Sequence, residues 1–216
     1  MQRFELILFD LDGLLIDSER IALEQFLLTA KDFNIDFEKH TYLKCIGANA
    51  KRVDEILSEA LAGQTDYLSF KAAWRTRYKS LIEHQSIPLK PGAIEILTDI
   101  KSRRQPLCLA TSTETSQARI KLRNSSISEY FDRIIGGDQV EHSKPSPDLF
   151  LRAAEKFNVS AENCLVLEDS ENGVKAAINA AMTVIQIPDL VPPSNALKQQ
   201  GHIILNSLLD VIDYRF

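Results

Sequence analysis

The sequence predicts an α/β protein, a doubly wound parallel sheet carrying an inserted α-helical segment. Three observations lead there. First, short apolar runs bounded by polar or turn residues recur at Leu6 to Phe9, Leu107 to Ala110, Ile134 to Ile135, Cys164 to Leu167 and Val184 to Ile187, the pattern of strands buried on both faces. Second, stripes at helical spacing separate the later runs: Ala93, Ile96, Leu97 and Ile100; Phe150, Ala153, Ala154 and Phe157; Val174, Ala177, Ile178 and Ala181. Their role is core packing. Strands alternating with helices wind into a parallel sheet covered on both faces. Third, the interval from Phe9 to Leu107 far exceeds the roughly 30 residues of one crossover. It holds helical patterns instead, on Phe26, Ala30 and Phe33, on Val53, Ile56, Leu57, Ala60 and Leu61, and on Phe70, Ala73, Trp74 and Arg77. Residues 1–17 and 85–216 are therefore assigned to the α/β core, and residues 18–84 to the insertion.

Composition removes several classes of function. The 216 residues are 44% hydrophobic and 25% charged, a balance that supports a packed core and argues against disorder. A net charge of −5 argues against a nucleic-acid partner. Apolar runs fall well short of membrane-spanning length, and the N-terminal stretch MQRFELILFD enters a strand pattern directly, without a secretory signal. Cys45, Cys108 and Cys164 are odd in number and in no metal-ligand spacing, as expected of reduced thiols in a cytoplasmic protein.

Ligands of open parallel sheets bind beyond the carboxyl ends of the strands, so the polar residues after each apolar run are the candidates. Asp10, Leu11, Asp12 and Gly13 follow the first run, and Thr111, Ser112 and Thr113 the second. A Gly136-Gly137-Asp138 turn leads from the third towards Lys144-Pro145, and Glu168, Asp169 and Ser170 follow the fourth. Each signal alone is common, because D-x-D reads as a turn and Thr-Ser as a helix cap. Together they bring four acids, a hydroxyl pair and one lysine to a single rim. Clustered carboxylates without histidine favour a hard, oxygen-liganded cation such as Mg²⁺, with Asp10, Glu168 and Asp169 as ligands. The Thr111 hydroxyl, the backbone N–H groups after it and Lys144 form a cradle for phosphate. A carboxylate facing that cradle can attack phosphorus to give an aspartyl-phosphate, and a second carboxylate can move the protons.

These residues resemble the haloacid dehalogenase (HAD) superfamily, most closely its small-metabolite phosphatases and the β-phosphoglucomutase-like branch. The resemblance lies in Asp10-Leu-Asp12-Gly13, Leu107 to Ser112, Lys144-Pro145-Ser146-Pro147-Asp148, and Leu167 through Glu168, Asp169 and Ser170 to Asn172-Gly173, and it spans nearly the whole chain. It implies a Rossmann-like core, Asp10 as nucleophile, Asp12 as general acid and base, Thr111 as phosphate ligand and Lys144 as charge neutraliser. Glu168 and Asp169 would hold Mg²⁺ with Asp10 and the backbone carbonyl of Asp12, beneath a mobile helical cap. β-Phosphoglucomutases carry a histidine in the first cap segment. Here, in Asp17-Ser18-Glu19-Arg20-Ile21-Ala22, the matching position is Ala22. That departure favours a phosphatase, with a phosphosugar mutase and a non-catalytic binding member as alternatives. Asp12 argues against dehalogenation, which has no use for the second aspartate.

The expected function is Mg²⁺-dependent hydrolysis of a small phosphorylated metabolite, a sugar phosphate, by a monomer or weak dimer. Arg20, Asn49, Lys51 and Arg52 are the cap residues expected to reach the substrate; His142, two residues before Lys144, is a further candidate, although a loop histidine is more often only exposed. The Trp74 helix, with Arg75, Arg77, Tyr78 and Lys79, is expected to present a solvated basic face.

Overall fold

A computed structural model describes residues 4–46 and 50–214. Strand β1 (Leu6–Phe9) is followed by four helices, α1 (Ser18–Asp32), α2 (Lys39–Leu43), α3 (Ala50–Ala60) and α4 (Tyr67–His84). The chain then alternates: α5 (Ala93–Ser102), β2 (Leu107–Ala110), α6 (Thr115–Asn124), β3 (Arg133–Ile135), α7 (Asp148–Phe157), β4 (Cys164–Glu168), α8 (Glu171–Asn179), β5 (Thr183–Gln186), α9 (Asn195–Lys198), β6 (Ile203–Ile204) and α10 (Leu208–Tyr214). The strands form one sheet in the order β3-β2-β1-β4-β5-β6, and every pairing is parallel. The five expected strands are present within a residue or two. Strand β6 is the addition; two partly exposed residues are too short for a readable pattern.

Side chains alternate across a strand, and the core divides accordingly. Ile7, Phe9, Leu107, Leu109, Leu165, Leu167 and Ile185 pack with Ile96, Leu97, Ala118, Leu122 and Val211 from α5, α6 and α10. Leu6, Leu8, Cys108, Ala110, Cys164, Val166 and Val184 pack on the other face with Phe150, Ala153, Val174 and Ala177 from α7 and α8. Both faces are covered, which is why the strands read as continuous apolar runs rather than alternating ones. The stripe ending at Ala181 runs past its helix: α8 stops at Asn179, and Ala181 takes a left-handed turn with φ 58°.

Helices α1 to α4 build a separate apolar cluster. Phe26 is fully buried at its centre, its ring 4.6 Å from Phe37, 5.0 Å from Tyr42, 5.0 Å from Phe70 and 5.2 Å from Trp74. Such tilted and edge-on contacts add to the area term for aromatic burial.

The strand order reverses between β1 and β4, the position where an open α/β sheet leaves a crevice at its carboxyl edge. Asp10 follows β1 and Glu168 closes β4, one on each side of that reversal.

Candidate active site

Three buried carboxylates meet at the crevice. Asp10, Glu168 and Asp169 each offer an oxygen, all within 4.8 Å of one another. Two glycines make room for them. A side chain at Gly13, where φ is +86°, would place its Cβ 2.4 Å from Asp169 Oδ2, and one at Gly173 would lie 1.8 Å from Glu168 Oε1. The loop from Glu168 into α8 is held by its own cap: Ser170 N–H donates to Glu168 Oε2 at 2.7 Å, while Ser170 Oγ accepts from Gly173 N–H at 3.1 Å.

Lys144 lies beneath the acids. Its Nζ donates to Asp10 Oδ1 and Glu168 Oε1, both at 2.6 Å, and to the Ala110 carbonyl at 3.3 Å. Burial works against its charge, but Asp10 and Glu168 outweigh that and hold the ammonium firmly protonated. One ammonium does not neutralise three acids. Burial is the largest influence on Asp10, and with Glu168 and Asp12 it prevails over Lys144, pushing the carboxyl up to about 7. Burial, then Glu168 and Asp10, raise Asp169 well above the ordinary range. Excess negative charge on oxygen donors alone is the donor set of a hard divalent cation, and these residues fit one.

Asp12 is in the opposite condition. Its Oδ1 accepts from Ser18 Oγ at 2.6 Å and Lys121 Nζ at 2.5 Å, and its Oδ2 from Thr113 Oγ1 at 2.6 Å. Burial would raise this carboxyl, but the Lys121 charge and the three hydrogen bonds overcome it and hold it below its ordinary value. Both oxygens of its side chain are thus held, and it is not one of the three acids that meet.

Thr111 is buried at the end of β2, its N–H tied to the Ile135 carbonyl at 3.0 Å and its Oγ1 accepting from Thr113 N–H at 3.1 Å. Ser112 is exposed beside it and accepts from Ser143 Oγ at 3.2 Å. Thr111, Ser112, Lys144, Asp10, Asp12, Glu168 and Asp169 all line one cavity of about 640 Å³.

The opposite wall of that cavity comes from the helical segment after β1: Glu19, Ala22, Tyr42, Cys45, Ile46, Val53, Trp74, Arg75 and Tyr78. The expected cap cations sit elsewhere. Arg20 donates to Asp17 at 2.6 Å and Asp189 at 2.9 Å. Lys51 is exposed on α3. Arg52 donates to Glu55 at 3.0 Å and lines a neighbouring cavity of about 360 Å³ with Ser170 and Asp189. Asn49 lies outside the described residues. His142 is largely exposed and pairs with Asp148 at 3.1 Å, away from the cleft. The α4 face is only partly the solvated one expected: Arg77 pairs with Asp32 and Lys79 with Glu83, but Trp74, Arg75 and Tyr78 turn into the cavity. Thr113 is a strand-end candidate given no role by the sequence, and Ser18, Glu19 and Lys121 are site residues that the sequence alone did not single out. Ser18 and Glu19 directly adjoin a recognised motif, whereas Lys121 has no local signal beyond a charge at a buried helix position.

The sequence pattern of the haloacid dehalogenase-like hydrolases matches residues 7–187. A phosphorylated carbohydrates phosphatase of Thermotoga maritima is 32% identical over 216 residues, covering 96% of this chain and all of that one. A (DL)-glycerol-3-phosphatase of Arabidopsis thaliana is 33% identical over 85% of this chain and 79% of its own. Among solved structures, a Thermotoga maritima protein assigned as a β-phosphoglucomutase superposes with a TM-score of 0.81 at 30% identity, covering 98% of this chain and all of that one. CbbY of Rhodobacter sphaeroides in complex with xylulose-1,5-bisphosphate superposes with a TM-score of 0.75 at 27% identity, over 95% of each chain.

Proposed function

The chain belongs to the haloacid dehalogenase-like hydrolases, and on that premise we propose that it is a Mg²⁺-dependent phosphatase of a small phosphorylated metabolite, a sugar phosphate, working through an aspartyl-phosphate at Asp10. The observation that carries this is the pairing of two unlike aspartates at one strand end. Asp10 sits among acids and a single lysine, and Asp12 is pinned by three donors.

Asp10, Glu168, Asp169 and the Asp12 backbone carbonyl would hold the cation. When bound, it would offset the charge of the acids and of the phosphoryl oxygens. Thr111 and Lys144 hold the phosphate in the cradle. An Asp10 carboxylate oxygen forms a bond to phosphorus as the bond from phosphorus to the substrate oxygen breaks, and the Asp12 carboxyl gives that oxygen its proton. A water molecule then attacks phosphorus, Asp12 takes the water's proton, and phosphate leaves with Asp10 restored.

Residues 18–84, with helices α1 to α4, act in this reading as a cap over the site, supported by the side chains they contribute to the cavity. Ala22 lines that cavity where a mutase would carry a histidine, so this position holds no group to exchange protons with a sugar hydroxyl. The acidic composition and three free, buried cysteines support a cytoplasmic setting, and among the described residues no helix is long and apolar enough to cross a membrane.

The test is phosphate release from phosphorylated sugars and polyols, with and without Mg²⁺, beside Asp10→Asn. The expected result is release that needs both the metal and Asp10, with a loss of about 10³-fold or more in the variant. Wild-type-like turnover by Asp10→Asn overturns the mechanism, and isomerisation without net release, given a sugar bisphosphate, would assign a mutase.

A further inference from the structure

Helix α6 is polar along most of its length, and its buried residues are Ala118, Lys121 and Leu122. The spacing of three and four puts a lysine inside the stripe that faces the core. Only 6% of the Lys121 side chain is exposed. A buried ammonium survives only where something specific receives it, and Lys121 reaches across to Asp12, 109 residues earlier in the chain, at 2.5 Å.

We propose that Lys121 is a positioning residue of the reaction: with Ser18 and Thr113 it fixes the orientation of the Asp12 carboxylate, and Tyr78 of α4 closes over it. This rests on Asp12 as the proton-moving group. Three donors from three parts of the chain converge on one carboxylate, with Ser18 and Lys121 on Oδ1 and Thr113 on Oδ2. Holding both oxygens bars rotation of the group about Cβ–Cγ, so the remaining lone pairs point one way into the cleft. Hydroxyls alone rotate with the carboxylate they follow, whereas the buried lysine is set by its helix.

The same lysine sits at a seam between the helices after β1 and the sheet domain. Its Nζ lies 5.7 Å from the Tyr78 ring centre, within cation–π range. Next along α6, Asn124 donates to the Ile82 carbonyl at 2.8 Å, and just beyond it Ser125 donates to the Ile87 carbonyl at 2.9 Å. Helix α4 and the segment after it are thereby tied to the end of α6, and the aim of Asp12 depends on that seating.

The experiment uses p-nitrophenyl phosphate with Mg²⁺, on the full chain, below the melting temperature of every variant. Lys121→Met keeps the length and removes the charge; Lys121→Gln keeps a shorter donor and serves if the first melts too early. The expected result is a 10- to 100-fold fall in kcat, a KM within about threefold of wild type, and partial recovery in Lys121→Arg. In an Asp12→Asn background, Lys121→Met should cost nothing further, because both changes act through one group. A variant with kcat within twofold of wild type overturns the proposal, as does a full additional loss in the Asp12→Asn background. A purely structural lysine would lower Tm and leave kcat in place. If the wild type shows no Asp10-dependent release, the phosphatase reading falls and takes this inference with it; release with an indifferent Lys121 fells the inference alone.

Discussion

Asp10 and Asp12 are separated by a single leucine, yet their surroundings differ: Asp10 meets Glu168, Asp169 and Lys144, whereas Asp12 is held by Ser18, Thr113 and Lys121. Backbone shape carries equal weight. The missing side chain of Gly173 is the space that Glu168 occupies, and Gly173→Ala must push that carboxylate away from the triad. We expect Mg²⁺-dependent phosphate release to fall about 10- to 100-fold with far-UV circular dichroism unchanged; undiminished activity would mean Glu168 is not needed where it stands. Glu19 makes a second residue-level case. Burial, reinforced by Asp12, pushes it up to about 7. The folded state therefore keeps a proton that the unfolded chain gives up near its ordinary pKa, and stability from this group is present at low pH and lost as pH rises through 7. Glu19→Gln should match the wild type in urea titrations near pH 4.5 and exceed it by on the order of 1–3 kcal/mol at pH 8. An equal difference at both pH values would remove the assignment.

At the scale of elements, helices α1 to α4 have a core of their own, and its centre is one ring. Phe26 is fully buried among four aromatic neighbours. Phe26→Ala is expected to cost about 3–5 kcal/mol, with hydrogen exchange rising first in residues 18–84 while β1, β2 and β4 stay protected. Uniform loss of protection throughout the chain would show that these helices do not open separately from the sheet.

For the molecule as a whole, the acids are an unfavourable concentration of charge that the fold tolerates at one point. A cation bound there in the native state alone stabilises it by about 2.7 kcal/mol at a concentration 100 times Kd. For a chain of this length that corresponds to roughly 5–10 °C in Tm. Mg²⁺ should raise Tm by that order, EDTA should reverse it, and Asp169→Asn should abolish most of the response. A Tm indifferent to Mg²⁺ in the wild type would count against the metal site. The same geometry shows why the crevice is where it is: the sheet reverses its order between β1 and β4, so Asp10 and Glu168 lie on either side of the crevice that winding leaves there.

Much of this was legible in one dimension. Strands buried on both faces are unbroken apolar runs, so Leu6 to Phe9, Leu107 to Ala110 and Cys164 to Leu167 stood out, and the polar residues after each run had to lie on one edge of a parallel sheet. Asp10, Asp12, Thr111, Lys144, Glu168 and Asp169 were found that way. The cavity wall opposite them was not legible, because a helix shows which residues are apolar but not what its polar residues meet. Arg20, Lys51 and Arg52 looked like substrate contacts and Arg75 like part of a solvated face; Arg20 instead pairs with Asp189 and Arg52 with Glu55, Lys51 stays exposed, and Arg75 lines the cavity. Lys121 had no local signal, since its partner is 109 residues away. The sequence by itself determined five of the sheet's strands, the strand-end chemistry and the reaction class, because these follow from periodicity and from residues placed at fixed offsets from strands. Tertiary structure alone decided what faces the substrate and what holds Asp12, because those contacts are made between side chains that only packing brings together.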